Sequence, residues 1–349
     1  MEILKQVLGI DVAQKELVVS LGRMQEDLTL EIFANKSFTN TSKGFAALIA
    51  WKKKLTEPSV ATRFVMEATG VYHESLAYFL TGRSEEVSIV LPNKISSFFR
   101  TLEVKTINDH TAAQAITRFG LERKLDLWQP PKPIYKKLRQ LSRERDQVVQ
   151  ERTIAKNHLH AELAEAEPNA TSVARIKKRV LFLDKQEKEI RDEIAILVKK
   201  DEQVSNSIQT ITTIPGVGLL TAVTVLSETN GFELVRNKRQ LTSYAGLDVR
   251  EKQSGTSVKG KTKISKRGNR YLRKAMHMPA LSAIVRDDHF KTIYARLVSR
   301  HGIKMKAVVA VQRKLLELMY TLYKTNSLYN KNFIGVQGEE VKKEKQLLL

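Results

Sequence analysis

Residues 5–12 read Lys-Gln-Val-Leu-Gly-Ile-Asp-Val, an apolar run that carries one carboxylate near its end. The run favours a buried strand, and turn residues separate it from two further strand-like runs at residues 17–21 and 28–33. An acid inside an apolar strand costs free energy unless it is paired or bound to a metal. Asp11 is therefore the residue from which we begin to interpret the N-terminal part of the chain.

Helices that alternate with strands follow these three strands. This order predicts an α/β domain with a ribonuclease-H-like sheet over residues 1–128, although many other α/β folds share the same order. The Pro-rich run at residues 129–133 marks its boundary. The further helices are predicted at residues 43–55, 72–80, 94–102 and 109–121, and the further strands at residues 64–67 and 87–91.

A charged, helix-favouring region extends over residues 129–210. Apolar residues recur there at near-heptad spacing, and Pro168-Asn169 suggests a reversal of the chain between two helices. This pattern predicts an antiparallel coiled-coil arm. Its charged outer face is either solvated or in contact with nucleic acid.

The remaining chain is predicted to be a mainly α-helical domain, residues 211–330, with a charged tail at residues 331–349. A stretch rich in Gly, Lys and Ser occupies residues 253–269. The predicted helices of this domain lie at residues 219–226, 271–285 and 304–323.

The composition is strongly basic, with 59 Lys and Arg against 38 Asp and Glu, and a formal charge of +21. Such a surplus predicts a polyphosphate partner, although a solubility surface or a ribosome-type protein has the same charge balance. The chain has no cysteine, which excludes disulfides, thiolate zinc sites and a cysteine nucleophile. No apolar run approaches the roughly 20 residues that cross a bilayer, so we expect a soluble protein that does not enter membranes.

Three acids from separate predicted elements are candidate metal ligands. Asp11 lies in the first strand, Glu67 ends the strand at residues 64–67, and Asp109 begins a helix. Mg²⁺ takes oxygen ligands, and nucleotidyl-transfer enzymes use such carboxylate clusters to hold it. Asp109 could instead be an ordinary helix N-cap, and Glu67 could pair with a lysine, whereas Asp11 is the hardest to explain in structural terms.

Short motifs occur in a fixed order along the chain. They are Leu-Gly-Ile-Asp-Val at 8–12, Met-Glu-Ala-Thr-Gly at 66–70, Asp109 with Ala113, Ser-Tyr-Ala-Gly-Leu at 243–247, Gln-Ser-Gly at 253–255 and Ile-Ser-Lys-Arg-Gly-Asn-Arg-Tyr-Leu-Arg at 264–273. Together they resemble the DEDD transposases of the insertion-sequence one-ten family over roughly residues 5–325. A pilin-gene invertase belongs to the same superfamily.

The resemblance implies a RuvC-like domain of the ribonuclease-H type, a coiled coil and a serine-bearing domain. It implies that Asp11, Glu67 and Asp109 bind Mg²⁺ and work with a serine that forms a covalent link to DNA. It further implies a structured bridge RNA as guide, and a dimer of dimers that brings donor and target DNA together. We accordingly expect a prokaryotic, cytoplasmic protein associated with the nucleoid.

The sequence departs from the family pattern at one position. The pattern is Asp-x-x-Asp-Ala, with two acids on one helical face, whereas this chain has Asp109-His-Thr-Ala112-Ala. Either the position has decayed, or it was changed deliberately to stop cleavage, and the intact motifs elsewhere favour deliberate change. His110 and Asp126 could compensate, but neither has the right spacing.

Ser254 is the candidate nucleophile that the resemblance indicates. A serine hydroxyl needs a base or a metal to activate it, and no histidine is near Ser254 in the sequence. The metal-bound carboxylate cluster is therefore the natural candidate for the activating group. Ser257 is the second candidate, and Ser243 belongs to a motif that suggests packing. Without the resemblance, Ser254 with Gly255 would be interpreted as a simple turn.

A basic stretch follows Ser254 directly. Its position beside a candidate nucleophile favours contact with the nucleic-acid backbone, although an inert basic face has the same composition. The predicted phosphate-binding residues are Lys259, Lys261, Lys263, Lys266, Arg267, Arg270, Arg273 and Lys274.

Three functions are compatible with these features. The first is a transposase or site-specific recombinase with a covalent serine step. The second is a non-catalytic protein that binds RNA and DNA, which Ala112 makes a real alternative. The third is a metal-dependent junction nuclease or DNA invertase in which water attacks and the serine is idle.

Overall fold

The computed structural model describes residues 2–68, 70–102, 104, 106, 108–251, 253–254, 258–260 and 262–331, with only the backbone described at 253–254 and 258–259. The chain divides into two compact units, the first of which is Met1–Pro130 and the second of which begins at Pro131. The predicted charged tail lies outside the described residues beyond Lys331.

Among the residues that the structure describes, the first unit has a five-stranded sheet and four helices. All elements predicted over residues 1–128 are present, with ends that differ by at most six residues. The strands are β1 (Ile3–Val12), β2 (Glu16–Gln25), β3 (Leu30–Thr39), β4 (Thr62–Glu67) and β5 (Glu86–Val90), and the helices are α1 (Ser42–Leu55), α2 (Glu74–Thr81), α3 (Pro92–Phe99) and α4 (Asp109–Glu122).

The sheet combines antiparallel and parallel strands. β2 pairs antiparallel with both β1 and β3. β4 pairs in parallel with both β1 and β5. The resulting strand order, β3-β2-β1-β4-β5, joins an antiparallel meander to two parallel strands, which confirms the predicted ribonuclease-H-like sheet.

Both faces of this sheet are covered by helices. Successive side chains of a strand point to opposite faces, so each strand contributes to two cores. Leu8 and Ile10 of β1 belong to a core that includes side chains of α1 and α2. Val7 of β1 and Val65 of β4 belong to a second core, with side chains of α3 and α4. A side chain that follows Val7 or Val65 on the same face therefore points to the α4 side.

Helix α4 lies unusually close to β1 at Gly9. The N–H of Gly9 donates to the Thr117 hydroxyl at 3.1 Å, and a Cβ at Gly9 would stand only 2.3 Å from the Thr117 nitrogen. At the other end of α4, Lys5 donates its Nζ to the carbonyl oxygens of Gly120 and Arg123. Glycine in the strand thus allows the helix to pack directly over β1, which determines where the start of α4 lies.

The second unit begins with three helices: α5 (Pro133–Leu163), α6 (Ala170–Lys200) and α7 (Glu202–Thr212). α5 and α6 run antiparallel, since Arg145 of α5 pairs with Glu187 of α6 at 2.6 Å while Arg152, further along α5, pairs with the earlier residue Asp184 at 2.7 Å. Glu187 is buried within the apolar stripe of α6 and also contacts Arg152. The predicted helical hairpin is present, whereas its coiled-coil geometry stays a prediction.

The rest of the second unit, as far as it is described, is helical with four short strands inserted. Within them, β6 pairs with β9 and β7 with β8, both antiparallel. The elements are α8 (Leu219–Glu228), α9 (Lys238–Tyr244), β6 (Val249–Arg250), β7 (Gln253–Ser254), β8 (Val258–Lys259), β9 (Lys263–Ile264), α10 (Arg270–Ala275), α11 (His277–Arg286), α12 (Asp288–His301) and α13 (Lys304–Thr325).

The single helix predicted over residues 271–285 is wrong, because the chain forms α10 and α11 with a break at Met276. Pro279 has no N–H to donate to the carbonyl of Ala275, so the helical hydrogen-bond ladder cannot continue through this point. The prediction also misses α12. Its apolar residues do recur at helical spacing, at Phe290, Ile293, Tyr294, Leu297 and Val298, so the signal for this helix was present in the sequence.

Candidate active site and nucleic-acid interface

Asp11 and Glu67 lie at the carboxyl ends of neighbouring parallel strands. Asp11 is the penultimate residue of β1, and Glu67 is the last residue of β4. The strand register pairs Ile10 with Met66, the residues immediately before them. Asp11 shares a face with Gly9, and Glu67 shares a face with Val65, so both half-buried carboxylates lie on the α4 side of the sheet.

Asp109 is the first residue of α4, but it is not the N-cap. That role belongs to Asn108, whose Oδ1 accepts the N–H of Thr111 while the Thr111 hydroxyl accepts the N–H of Asn108, both at 2.9 Å. The alternative interpretation of Asp109 as an ordinary cap is therefore wrong. Its carboxylate is exposed at the start of the helix that packs over β1.

The three predicted acids share one electrostatic environment. Burial raises the pKa of the Asp11 carboxyl above its usual value near 3.8, and the negative charges of Asp109 and Glu67 raise it further. An acid that feels two other acids in this way lies in a concentration of negative charge, which a cation would neutralise. The fold thus brings into one neighbourhood the three acids that the sequence indicated as candidate metal ligands.

This neighbourhood is not a preformed ligand set. Among the residues that the structure describes, no three Asp, Glu, His or Cys side chains are grouped closely enough to hold one metal ion. Coulombic repulsion acts over longer distances than coordination does, so the two observations are compatible. The donors present are carboxylate oxygens, which are the kind that Mg²⁺ prefers.

Ala112 lies in the first turn of α4, three residues after Asp109, and is half-buried. Its neighbour Ala113 is fully buried, and a Cβ at Gly9 would stand 2.6 Å from the Ala113 carbonyl oxygen. Position 112 thus directly precedes a residue of α4 that lies close to β1, and its side chain is a methyl group. Neither His110 nor Asp126 is among the groups that raise the pKa of Asp11.

We expect Asp11→Asn to retain the fold and to raise Tm by about 2 °C at pH 7 without divalent cations. Because the folded-state pKa of Asp11 is raised, ionisation costs stability as pH rises from near 3.8 through the raised pKa, and the full cost is present at neutral pH. Asparagine removes that charge without opening a cavity. Thermal denaturation measures the effect.

Asp27→Asn is the matched control in the same unit. The N–H of Thr29 donates to Asp27 at 2.9 Å, and this hydrogen bond lowers the pKa of Asp27. Its charge therefore favours the folded state, and its removal should not raise Tm. A fall of several degrees for Asp11→Asn would contradict the interpretation and make Asp11 a structural residue.

Ser254 lies in a short antiparallel strand pair of the second unit. It is the last residue of β7, and its backbone pairs with that of Val258 on β8. β6 precedes this pair in the sequence and β9 follows it, and these two strands pair with each other. Ser257, the second candidate, and Lys261 lie outside the described residues. Ser254 is thus a strand residue, and the simple turn considered for Ser254 with Gly255 stays untested because Gly255 lies outside the described residues.

The predicted phosphate-binding residues differ in what they contact. Arg273 is half-buried and donates to the carbonyl oxygen of Ala245 at 2.9 Å. Lys274 forms an ion pair with Asp146 of α5. Lys259 is on β8, where only the backbone is described. Of the predicted phosphate-binding residues whose side chains are described, the exposed ones are Lys263, Lys266, Arg267, Arg270 and Lys274.

Two family models match this chain. A DEDD transposase model of the IS110 type, described as a transposase, matches residues 8–168, and the model described as Transposase IS116/IS110/IS902 family matches residues 208–295. The chain belongs to the IS110/IS116 family of transposases. It is thus an enzyme of the transposase and recombinase kind, which cleaves and rejoins DNA.

Relatives match along much of their length. The pilin gene-inverting protein of Moraxella lacunata is 27% identical over 332 residues, which cover 94% of this chain and 98% of that protein. The transposase for insertion sequence element IS1111A of Coxiella burnetii is 24% identical over 298 residues, covering 76% of this chain and 78% of that protein. Thermus thermophilus RuvC aligns with 35% of this chain and 99% of its own, at 11% identity and a TM-score of 0.27.

In the described part of this chain, no helix combines the length and apolarity that crossing a membrane requires.

Proposed function

We propose that this family member cleaves and rejoins DNA with the carboxylates of Asp11, Glu67 and Asp109 and the hydroxyl of Ser254. The observation that supports the carboxylate part most directly is the raised pKa of Asp11, which is caused by burial and by the other two acids. Three acids from two strands and a helix that share one neighbourhood are better explained by binding of a cation that contacts a DNA phosphate than by a structural role.

Asp11, Glu67 and Asp109 are the residues that would hold Mg²⁺. The cation, when bound, neutralises charge on the phosphate oxygens and favours loss of a proton from the attacking hydroxyl. Asp11 and Glu67 are held by the paired strands β1 and β4, and Asp109 by the capped start of α4. With alanine at position 112, the proposed site lacks one carboxylate of the family pattern.

Ser254 is the proposed nucleophile. Its Oγ forms a bond to phosphorus while the bond from phosphorus to a deoxyribose oxygen breaks, and the hydroxyl proton is lost to a base. Attack by a DNA hydroxyl on the phosphoserine reverses the step and rejoins the strand. Placement of Ser254 at a strand end, directly before the basic residues, supports this role.

We further propose that a structured RNA guides the protein to its DNA sites, and that dimers assemble into a tetramer which holds donor and target DNA together. The formal charge of +21 supports a large polyphosphate partner. The exposed cations Lys266, Arg267 and Arg270 support backbone contact near Ser254.

RNA binding is expected to be salt-dependent and selective for structure. The RNA that co-purifies with the protein would be sequenced, transcribed and placed in competition with a random duplex of equal length. We expect the structured RNA to bind at least about tenfold more tightly, because RNA is recognised largely through shape and phosphate contacts. Equal competition by the two RNAs would contradict the guide proposal and leave a general polyanion binder.

Ala112 specifically favours a second candidate, a non-catalytic member that only binds nucleic acid. A protein–DNA adduct that survives denaturation would contradict both this candidate and a junction nuclease that uses water. The name of the Moraxella relative supports DNA inversion as another outcome of the same strand exchange. Incubation with DNA substrates that carry the element ends, followed by sequencing of the junctions, distinguishes inversion from insertion.

A further inference from the structure

Glu228, the last residue of α8, has a carboxylate that is almost completely buried, with 1% of its side chain exposed. Arg143 of α5 donates Nε to one carboxylate oxygen at 2.7 Å and Nη2 to the other at 2.8 Å. Asn269 donates its Nδ2 to the carboxylate at 2.6 Å, and the Tyr244 hydroxyl donates to the Glu228 carbonyl oxygen at 3.1 Å. Through its carboxylate and its backbone carbonyl, Glu228 thus joins α5, α8, the end of α9 and the segment before α10.

The pairing with Arg143 is bidentate, and hydrogen bonding to Glu228 raises the pKa of the Arg143 guanidinium. A buried ion pair nonetheless contributes little to stability compared with apolar side chains of the same volume. Its two parallel hydrogen bonds do restrict the relative orientation of the groups that they join. The interaction therefore suits a role in positioning.

The Asn269 side of this network holds the start of α10. The Asn269 Oδ1 accepts the N–H groups of Tyr271 and Leu272 at 2.9 and 3.1 Å, and its own N–H donates to the Tyr244 carbonyl oxygen at 2.7 Å. Just before it, Gly268 approaches Tyr244 so closely that a Cβ there would stand 2.4 Å from the same oxygen. The backbone that leads into α10 is thus fixed from several sides.

The Arg143 side of the network leads to an exposed cation. The Arg143 guanidinium stacks over the Tyr271 ring at 4.6 Å, and the Arg270 guanidinium stacks over the same ring at 4.9 Å. Arg270 also donates to the Tyr271 hydroxyl at 3.2 Å. The orientation of exposed Arg270 is therefore linked, through Tyr271 and Arg143, to the buried carboxylate.

We propose that Glu228 is a positioning residue for the basic segment, residues 266–274. It holds this segment against α5 through Asn269 and Arg143, so that Lys266, Arg267 and Arg270 meet nucleic-acid phosphates in one orientation. Glu228 itself contacts no nucleic acid. The inference rests on the proposed role of these cations in phosphate contact.

The test compares Glu228→Gln with the unsubstituted protein, using a double-stranded DNA oligonucleotide of random sequence as the probe. We expect binding to weaken about tenfold. The slope of log K against log salt should become less steep by the amount that about one or two phosphate contacts contribute. Hydrogen exchange of the amides in residues 266–274 should accelerate. Asn269→Ala should reproduce these effects if Glu228→Gln folds poorly, because it breaks the network on the segment side while the pair with Arg143 remains.

Glu187→Gln is the matched control, since Glu187 is also a buried glutamate with two arginine partners, Arg145 and Arg152, on α5. Glu187→Gln should lower Tm by about as much as Glu228→Gln does, and it should leave the slope of log K against log salt unchanged. Equal slopes for Glu228→Gln and the unsubstituted protein, or an equal change in Glu187→Gln, would overturn the inference. Arg270→Ala tests the underlying proposal separately, because an unchanged slope there would contradict phosphate contact by this residue itself.

Discussion

Ala112→Asp is expected to raise DNA cleavage by on the order of 100-fold. Catalytic geometry tolerates little error, and misplacement of reacting groups by about 1 Å costs roughly that factor. A carboxylate at position 112 adds a fourth acid beside the environment of Asp11, Glu67 and Asp109. The first turn of α4 also tolerates an acid well, because the N-terminal end of a helix favours negative charge. Strand cleavage of element-end DNA with Mg²⁺ and the guide RNA measures the effect.

Ala112→Asn is the matched control, because it has the same size as Asp without the charge, and it should stay at the background level. A second readout does not depend on activity. Ala112→Asp should lower Tm in a chelator, since it adds a like charge near Asp11, and should gain more Tm from Mg²⁺ than the unsubstituted protein does. Adding Asp11→Asn to Ala112→Asp should abolish cleavage while nucleic-acid binding persists. Equal cleavage by the Ala112→Asp and unsubstituted proteins would contradict the placement of the fourth acid.

The sheet of the first unit could be predicted because its signals are local. An apolar run such as residues 5–12 predicts a buried strand wherever it occurs, and Asp11 stands out in it as a polar exception. The convergence of Asp11, Glu67 and Asp109 required the strand order and the position of α4. The position of α4 depends on the close approach of Thr117 to Gly9, and a glycine in a strand predicts close approach without naming the partner.

The second unit shows why other features could not be predicted. Glu228 lies in a sequence of apolar and small residues, and nothing nearby names Arg143, which is 85 positions away, as its partner. The basic stretch suggested uniform phosphate contact, yet Arg273 donates to the Ala245 carbonyl oxygen. Charge alone predicts a partner for the whole stretch, whereas the fold determines which cations face solvent.

Ser254→Ala is expected to abolish cleavage and the covalent adduct while binding of RNA and DNA survives. The change removes one oxygen from the end of β7, so the backbone pairing with Val258 should persist. Cleavage should stay absent even with Ala112→Asp, because no metal or base can activate a hydroxyl that is missing. Denaturing electrophoresis of labelled DNA detects the adduct. An adduct that persists in Ser254→Ala would reject Ser254 and indicate Ser257.

A mixture of two inactive variants tests how the proposed active site is completed. One carries Asp11→Asn and the other Ser254→Ala, both with Ala112→Asp. The acids and Ser254 belong to different units of the chain, with α5 and α6 between them in sequence. If one subunit's serine works with another subunit's carboxylates, some sites of a mixed oligomer contain both intact groups, and part of the activity should return. If each subunit completes its own site, every site lacks one group. We expect partial recovery, and background activity in an oligomer verified to contain both variants would reject the shared site.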